Sequence, residues 1–155
     1  MSEKIGIACD HGGIELKVMV HDYLKHLDVE VVDYGVSADA KKSVDYPDYA
    51  ELLCSDISKG EIDRGILICG TGIGMSIAAN KFSGVRAALV ADPFSCEMSR
   101  RHNDANVLCL GARVINHHRA VDLCKLWLTT PFDGDRHEAR LKKIHEIEKK
   151  NFIAH

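Results

Sequence analysis

The chain has 155 residues, of which 46% are hydrophobic and 28% charged, and its formal net charge is −3 at neutral pH. This length and composition suit one domain, residues 1–155, with a single core that needs no disulfide or metal. The charge balance excludes a general attraction to nucleic acid or to anionic membranes. No apolar run reaches the roughly 20 residues that span a bilayer. The start, MSEKIGIACDH, lacks the apolar segment of a signal peptide, so we expect a cytoplasmic protein.

Short apolar runs alternate with amphipathic stretches along the chain, which is typical of βαβ units that build a parallel sheet. In chain order the pattern predicts a strand over 4–9, a helix over 13–27, a strand over 29–33, a helix over 47–59, a strand over 65–69, a helix from the glycine-rich turn to 81, a strand over 86–91, a helix over 93–102, a strand over 107–110, and helices over 117–128 and 135–150. The predicted fold class is therefore α/β with a five-stranded parallel sheet.

The last predicted helix is mostly charged. Its apolar residues are few, and Asp135 with Glu138 three residues later resembles a capping pair. A helix this polar gains little from burial in its own core. We therefore expect it to pack across a neighbouring subunit, which makes the protein at least a dimer.

The six cysteines, at 9, 54, 69, 96, 109 and 124, form no CxxC pair. Without a regular ligand spacing, a metal site is not expected. Most of them stand among apolar residues, where a reduced cysteine behaves as a small buried hydrophobe. We interpret all but Cys69 in this way.

Ligands of open parallel sheets bind beyond the carboxyl ends of the strands. The residues at the ends of the predicted strands therefore mark the expected site. Asp10 and His11 follow the first strand, Cys69 ends the third, Asp92 follows the fourth and Arg113 comes shortly after the fifth.

The stretch CGTGIGMSIAANK at 69–81 carries the strongest signal. Its glycines let the backbone approach a ligand closely, and N–H groups at a helix start can hold a phosphate, a pyrophosphate or an oxyanion. The spacing is GxGxG rather than the GxGxxG of dinucleotide sites, although Asp92 ends the next strand where a ribose-binding acid is expected. On spacing alone, a dinucleotide site and a purely structural turn both stay open.

Cys69 favours catalysis over these alternatives. A thiol one residue before exposed N–H groups lies where the thiolate is favoured, and a dinucleotide site has no need of it. Removing a proton from carbon requires a base beside a pocket that stabilises the enediolate. Cys69 as the base and the amides of 70–74 as the oxyanion hole meet both demands, and Thr71 can move a proton between the two oxygens.

Two further polar clusters stand out. In GDRHEAR, Arg136 and Arg140 project from one face at the start of a helix, where their positive charges are unfavourable because of the helix dipole. A bound phosphate would compensate for this unfavourable interaction. The alternative is that both arginines are simply solvated. In SRRHNDAN, His102 suits proton transfer near neutral pH or serves only as a helix cap. We expect the other histidines at the surface, at 21, 26, 117, 118, 137, 145 and 155.

Five ordered stretches together resemble the ribose-5-phosphate isomerase B family, which also includes allose- and galactose-6-phosphate isomerases. They are ACDHGG at 8–13, DYPDYA at 45–50, GILICGTGIGMSIAANK at 65–81, SRRHNDANVLCLGAR at 99–113 and GDRHEAR at 134–140. The resemblance covers nearly the whole chain. It implies a Rossmann-like α/β/α sandwich, a sugar-phosphate substrate, no metal or nucleotide cofactor, and dimers or dimers of dimers with sites shared between subunits.

The resemblance also implies a role for each matching residue. Cys69 matches the proton-abstracting base, and His102 matches the acid that opens the furanose ring. The enediolate-binding loop corresponds to Gly70, Thr71, Gly72, Ile73 and Gly74. The remaining contacts correspond to Asp10 and His11 for the sugar, Tyr46 for a wall of the site, Asn103 beside the acid, and Arg113, Arg136 and Arg140 for the phosphate. One branch of the family has a carboxylate where this chain has Met75, so the chain falls in the cysteine branch.

These observations predict an aldose–ketose isomerase that interconverts D-ribose 5-phosphate and D-ribulose 5-phosphate through an enediolate, in the non-oxidative branch of the pentose phosphate pathway. Thr71 and Asp10 would help to move protons among the hydroxyls. The alternative within the class is an isomerase of a six-carbon sugar phosphate such as allose 6-phosphate, because one extra carbon is not resolved by sequence. The alternative from another class is a non-catalytic nucleotide-binding domain.

Overall fold

The computed structural model describes residues 1–152. In chain order these form β1 (Glu3–Cys9), a 3-10 turn (His11–Gly13), α1 (Ile14–Leu24), β2 (Val29–Asp33), α2 (Tyr46–Lys59), β3 (Arg64–Cys69), α3 (Ile73–Ala79), β4 (Ala87–Leu89), α4 (Pro93–Arg101), β5 (Val107–Gly111), α5 (His117–Thr129) and α6 (Arg136–Asn151). Among these helices, none has the length and hydropathy that a membrane span requires.

The strands form a five-stranded sheet in the order β2-β1-β3-β5-β4, and every neighbouring pair is parallel. From β1 the chain first builds outward to β2 and then crosses to β3 on the other side. The strand order therefore reverses between β1 and β3, which is where an open α/β sheet binds its ligand. The α/β fold class with a five-stranded parallel sheet is confirmed.

The sheet is covered on both faces, which gives three layers. Alternate strand residues face opposite sides, so Ile66 packs with α1, α4 and α5, whereas Leu67 and Cys69 pack with α2 and α3. Because both faces are buried, the central strands are continuously apolar, and residues 65–69 of β3 are all buried. The sulfur of Cys69 therefore lies on the α2–α3 side of the sheet.

Local side-chain hydrogen bonds explain where the helices depart from their predicted bounds. The carboxylate of Asp10 accepts the Gly12 N–H, and a 3-10 turn forms before α1 begins. Helix α3 ends at Ala79 rather than 81. The Asn80 side chain donates to the carbonyls of Ser76 and Ala87 and accepts the Ala87 N–H, so it joins the end of α3 to β4.

The amino end of α6 differs from the prediction. Asp135 has φ 50° and makes no side-chain capping bond, so the predicted capping pair with Glu138 is wrong. Farther along, Ile144 and Ile147 are 49% and 60% exposed. They line a groove of about 460 Å³ between α6 and the β4 edge. The apolar face of α6 is therefore only partly covered by its own chain.

Candidate active site

The carboxyl ends of β1 and β3 bring the first group of predicted residues together. Asp10 directly follows β1, is 8% exposed and holds the Gly12 N–H at 2.9 Å. The Val44 N–H donates to His11 Nδ1 at 3.1 Å, so the loop before α2 fixes the His11 ring. Two polar side chains are thus held at the switch point of the sheet, as the sequence predicts.

Cys69 ends β3 and is 4% exposed. The Gly72 N–H donates to its sulfur at 3.2 Å, so the turn that follows the strand orients the Sγ atom. The loop after β5 closes over this turn, since the Ala112 N–H donates to the Cys69 carbonyl and the Arg113 N–H to the Gly70 carbonyl, both at 2.9 Å. The thiol therefore lies between two turns that hydrogen bonds join at the site.

The other five cysteines are free and buried in the core. Burial raises the pKa of Cys9 to about 11 and those of Cys54 and Cys96 to about 12. Burial also raises the pKa values of Cys109 and Cys124. These side chains stay neutral thiols near pH 7 and cannot act as bases there, in agreement with their interpretation as core residues.

The glycine-rich turn has the conformation that its composition predicts. Gly72 precedes α3 with φ 78°, and a Cβ there would lie 2.9 Å from the Leu110 carbonyl carbon. Not all its amides face outward, however. The Gly72 N–H is engaged by Cys69 and the Ile73 N–H by Thr71 Oγ1 at 3.2 Å. Two of the five N–H groups predicted to form the oxyanion hole are therefore already engaged by other atoms of the turn.

The Tyr46 ring lies against the turn at Gly74. A Cβ at position 74 would lie 2.5 Å from Tyr46 Cζ.

We expect Gly74→Ala to push the 38%-exposed Tyr46 ring away from the site, because the ring can move more easily than the backbone. The KM for a sugar phosphate, the substrate that the resemblance implies, should rise several-fold with little change in melting temperature. Tyr46→Phe, which keeps the ring in place, is the control and should retain KM; an unchanged KM in Gly74→Ala would contradict this role of the ring.

Arg113 also belongs to this group. A Cβ built on Gly70 would lie 3.5 Å from its Nη1, and one built on Gly12 would lie 3.7 Å from its Nη2. The guanidinium therefore covers both glycine-containing turns. Its fork of N–H donors suits an anion such as a phosphate. We call this group the carboxyl-end cluster, which consists of Asp10, His11, Tyr46, residues 69–74 and Arg113.

Asp92 has a structural role. Its carboxylate accepts the Ser95 N–H at 2.8 Å and caps α4. This hydrogen bond lowers the pKa of the carboxyl below its ordinary value. The acid on which the dinucleotide interpretation relied is thus engaged as a helix cap.

The second group of predicted residues lies elsewhere in the chain. His102 caps the carboxyl end of α4, and its ring stacks on that of His137 with centroids 4.2 Å apart and an angle of 12° between the planes. Arg136 and Arg140 flank His137 at the start of α6. We call this group, together with His137, the amino-end cluster, which consists of His102, Asn103, Arg136, His137 and Arg140.

The two clusters lie at opposite edges of the sheet. Helix α4 leads from the carboxyl end of β4 back to the amino end of β5, so His102 lies before β5 whereas Cys69 ends β3. The five residues of β5, at about 3.3 Å each, separate the edges by roughly 15 Å. One chain therefore does not bring His102, Asn103, Arg136 or Arg140 to Cys69.

His137 is the residue whose environment the sequence did not indicate. We expected it at the surface, but it is 7% exposed and packs on His102. Desolvation, together with His102, Arg136 and Arg140, lowers its pKa. The sequence feature that could have indicated this environment is the position of His137 between two arginines predicted to bind phosphate. Of the other histidines, 26, 118 and 145 are exposed, 21 and 117 are half-buried, and 155 lies outside the described residues.

Comparisons with known proteins agree with this geometry. A ribose-5-phosphate isomerase B from Escherichia coli is 43% identical over 148 residues, which cover 96% of this chain and 98% of that protein. A ribose-5-phosphate isomerase B structure from Clostridium thermocellum has a TM-score of 0.90 at 50% identity, covering 95% of this chain and 98% of that one. The Mycoplasma genitalium enzyme with bound ribulose-5-phosphate has a TM-score of 0.90 at 42% identity, covering 97% and 99%. The model of the Ribose/Galactose Isomerase family matches residues 5–144, and the chain belongs to that family, as its motifs predict.

Proposed function

We propose that this chain is an aldose–ketose isomerase that interconverts D-ribose 5-phosphate and D-ribulose 5-phosphate through an enediolate. The observation that carries the proposal is the buried Cys69 sulfur, held by the Gly72 N–H in the turn at the switch point of the sheet. Relatives across the full length are named ribose-5-phosphate isomerase B, and one solved structure holds the ketose product.

The proposed mechanism assigns one step to each group. The arginines anchor the phosphate while His102 opens the furanose ring. Cys69 then takes the proton from C2 of the aldose, and the electron pair of that bond forms the enediolate. The backbone N–H groups of the glycine-rich turn other than those of Gly72 and Ile73 stabilise its negative charge. Return of the proton to C1 completes the ketose, with Thr71 and Asp10 moving protons among the hydroxyls.

The site is proposed to form between two copies of the chain. Because the clusters lie on opposite edges of one sheet, the carboxyl-end cluster of one copy would face the amino-end cluster of the other. Apolar side chains stand exposed beside the carboxyl-end cluster and suit burial in such an interface. They are Ile73, Ile77, Leu89, Phe94 and Val114, which are 41–72% exposed. The partly covered α6 would complete the contact, in a dimer or a dimer of dimers.

Two further parts of the proposal concern organisation and location. Residues 1–155 are proposed to act as one domain. Six free cysteines suit a reducing compartment, so we place the protein in the cytoplasm.

The test of the activity is the rate of ribulose 5-phosphate formation from ribose 5-phosphate, followed by ketose absorbance without added metal or nucleotide. We expect turnover, and a lower kcat/KM with allose 6-phosphate. A higher kcat/KM for allose 6-phosphate would instead assign the six-carbon reaction. Folded protein that converts neither sugar phosphate would refute the isomerase function.

The arginines of α6 give a separate prediction. Arg136→Ala with Arg140→Ala should raise the KM for ribose 5-phosphate at least about tenfold, because charged hydrogen bonds contribute about 1.5–3 kcal/mol each. We expect a much smaller change in kcat. The control is Lys143→Ala with Lys150→Ala, which removes the same charge from exposed positions of the same helix. Equal KM values for the two double variants would remove the arginines from the phosphate site.

A further inference from the structure

Two histidines of the amino-end cluster, with Asp133 beside them, form a set of metal-binding atoms of which the proposed isomerase reaction uses only His102. Ligand atoms of His102, Asp133 and His137, one from each residue, all lie within 4.8 Å of one another. Among the described residues, these three are the group of histidine, cysteine and acidic side chains close enough to hold one ion. Two imidazoles and a carboxylate are a ligand set of zinc and related divalent ions.

We propose that His102, Asp133 and His137 form a binding site for a divalent cation of the zinc class, and that its occupancy blocks ring opening by His102. The second part rests on the proposed function, whereas the first does not. An ion bound to the His102 nitrogen would take the lone pair that proton transfer needs.

The distances are within reach of a bound ion. Bonds of about 2.0–2.2 Å to a tetrahedral ion place its ligand atoms roughly 3.4 Å apart. The longest separation among the three ligand atoms is at most 4.8 Å, so it must shorten by at most about 1.4 Å. His137 is buried and fixed, whereas His102 is half-buried and Asp133 exposed, so the latter two can rotate toward the ion. The stacked rings must also tilt, because the lone pairs of parallel rings do not meet at one point.

The surrounding charges define how the ion would bind. Arg101 Nη1 lies 3.1 Å from Asp133 Oδ1, which leaves Oδ2 for the ion. Arg136 and Arg140 oppose a cation and favour an anion or water as the fourth ligand, and three protein ligands leave that position open. The site is thus expected to bind zinc reversibly rather than as a permanent structural ion.

The binding test is a calorimetric titration of the chelator-treated full-length protein with Zn²⁺. We expect one ion per chain, and affinity at least about tenfold weaker in Asp133→Asn and in His137→Gln. His145→Gln, which removes an exposed histidine of the same helix, and Cys69→Ser, which removes the thiol, should both bind as the wild type does. Absence of stoichiometric binding, unchanged affinity in both site variants, or loss of binding in Cys69→Ser would overturn the site.

The activity test separates this site from the isomerase assignment. Metal-free Asp133→Asn should turn over ribose 5-phosphate like the wild type but resist inhibition by Zn²⁺, and a chelator should restore the inhibited wild type. If zinc binds without slowing the wild type, the blocking role is refuted, whereas the proposal of a binding site stands. A metal-free wild type without turnover would refute the isomerase function, while the calorimetric result would still decide on the site.

Discussion

Cys69→Ala is expected to lower kcat for ribulose 5-phosphate formation roughly 10³-fold, because a positioned general base contributes about 10²–10⁴-fold to such a proton transfer. The thiol is the group at the carboxyl end of β3 that the turn holds by a hydrogen bond from Gly72. Alanine keeps the strand and removes the base. The melting temperature should fall only slightly, since one buried sulfur atom is lost. The measurement is ketose formation under saturating ribose 5-phosphate, beside thermal unfolding.

Cys109→Ala provides the matched control. Cys109 lies on the neighbouring strand β5, in the same core cluster as Cys69, and is fully buried. Its replacement removes the same atom from the same layer and should cost comparable stability. Because burial keeps Cys109 a neutral thiol, kcat should remain near the wild-type value. A kcat of Cys69→Ala as close to the wild-type value as that of Cys109→Ala would reject Cys69 as the base.

The sheet was predictable because its strands are short apolar runs between polar turns. The predicted bounds of β2 coincide with the observed Val29–Asp33, and those of β3 and β5 differ by one residue. The fold class, the family and the isomerase function predicted from the sequence are confirmed. The ends of the helices were harder to predict, because they depend on side-chain hydrogen bonds such as those of Asn80 with Ser76 and Ala87. The periodicity of apolar residues carries no information about such bonds.

The carboxyl-end cluster was also predictable, since parallel strands deliver their following residues to one edge. The hydrogen bonds and burial of the individual site residues were not predictable. That the Gly72 N–H turns toward the sulfur depends on backbone angles that composition does not fix. The burial of His137 depends on contact between α6 and the end of α4, which are more than thirty residues apart in the chain. A polar helix pattern carries no sign of such a contact. The roles of the individual site residues remain predictions.

Mixing two inactive variants should restore activity if each site combines the clusters of two copies. Cys69→Ala lacks the base and His102→Asn lacks the ring-opening acid, so each homodimer has two defective sites. In a mixed dimer one site receives both substitutions, and the other receives intact Cys69 from one chain and intact His102 from the other. Random pairing makes half of the dimers mixed, so the pool should reach about one quarter of wild-type activity.

The alternative arrangement makes a different prediction for the same mixture. If each chain built its site alone, every site would carry one defect and the mixed pool would stay as inactive as its components. The variants should therefore be unfolded together and refolded, so that subunits exchange, with Cys69→Ala refolded alone as the control. Recovery in the mixture would place Cys69 and His102 of one site on different copies, in agreement with the roughly 15 Å between the edges of one sheet. No recovery, despite mixed dimers seen by native mass spectrometry, would refute the shared site.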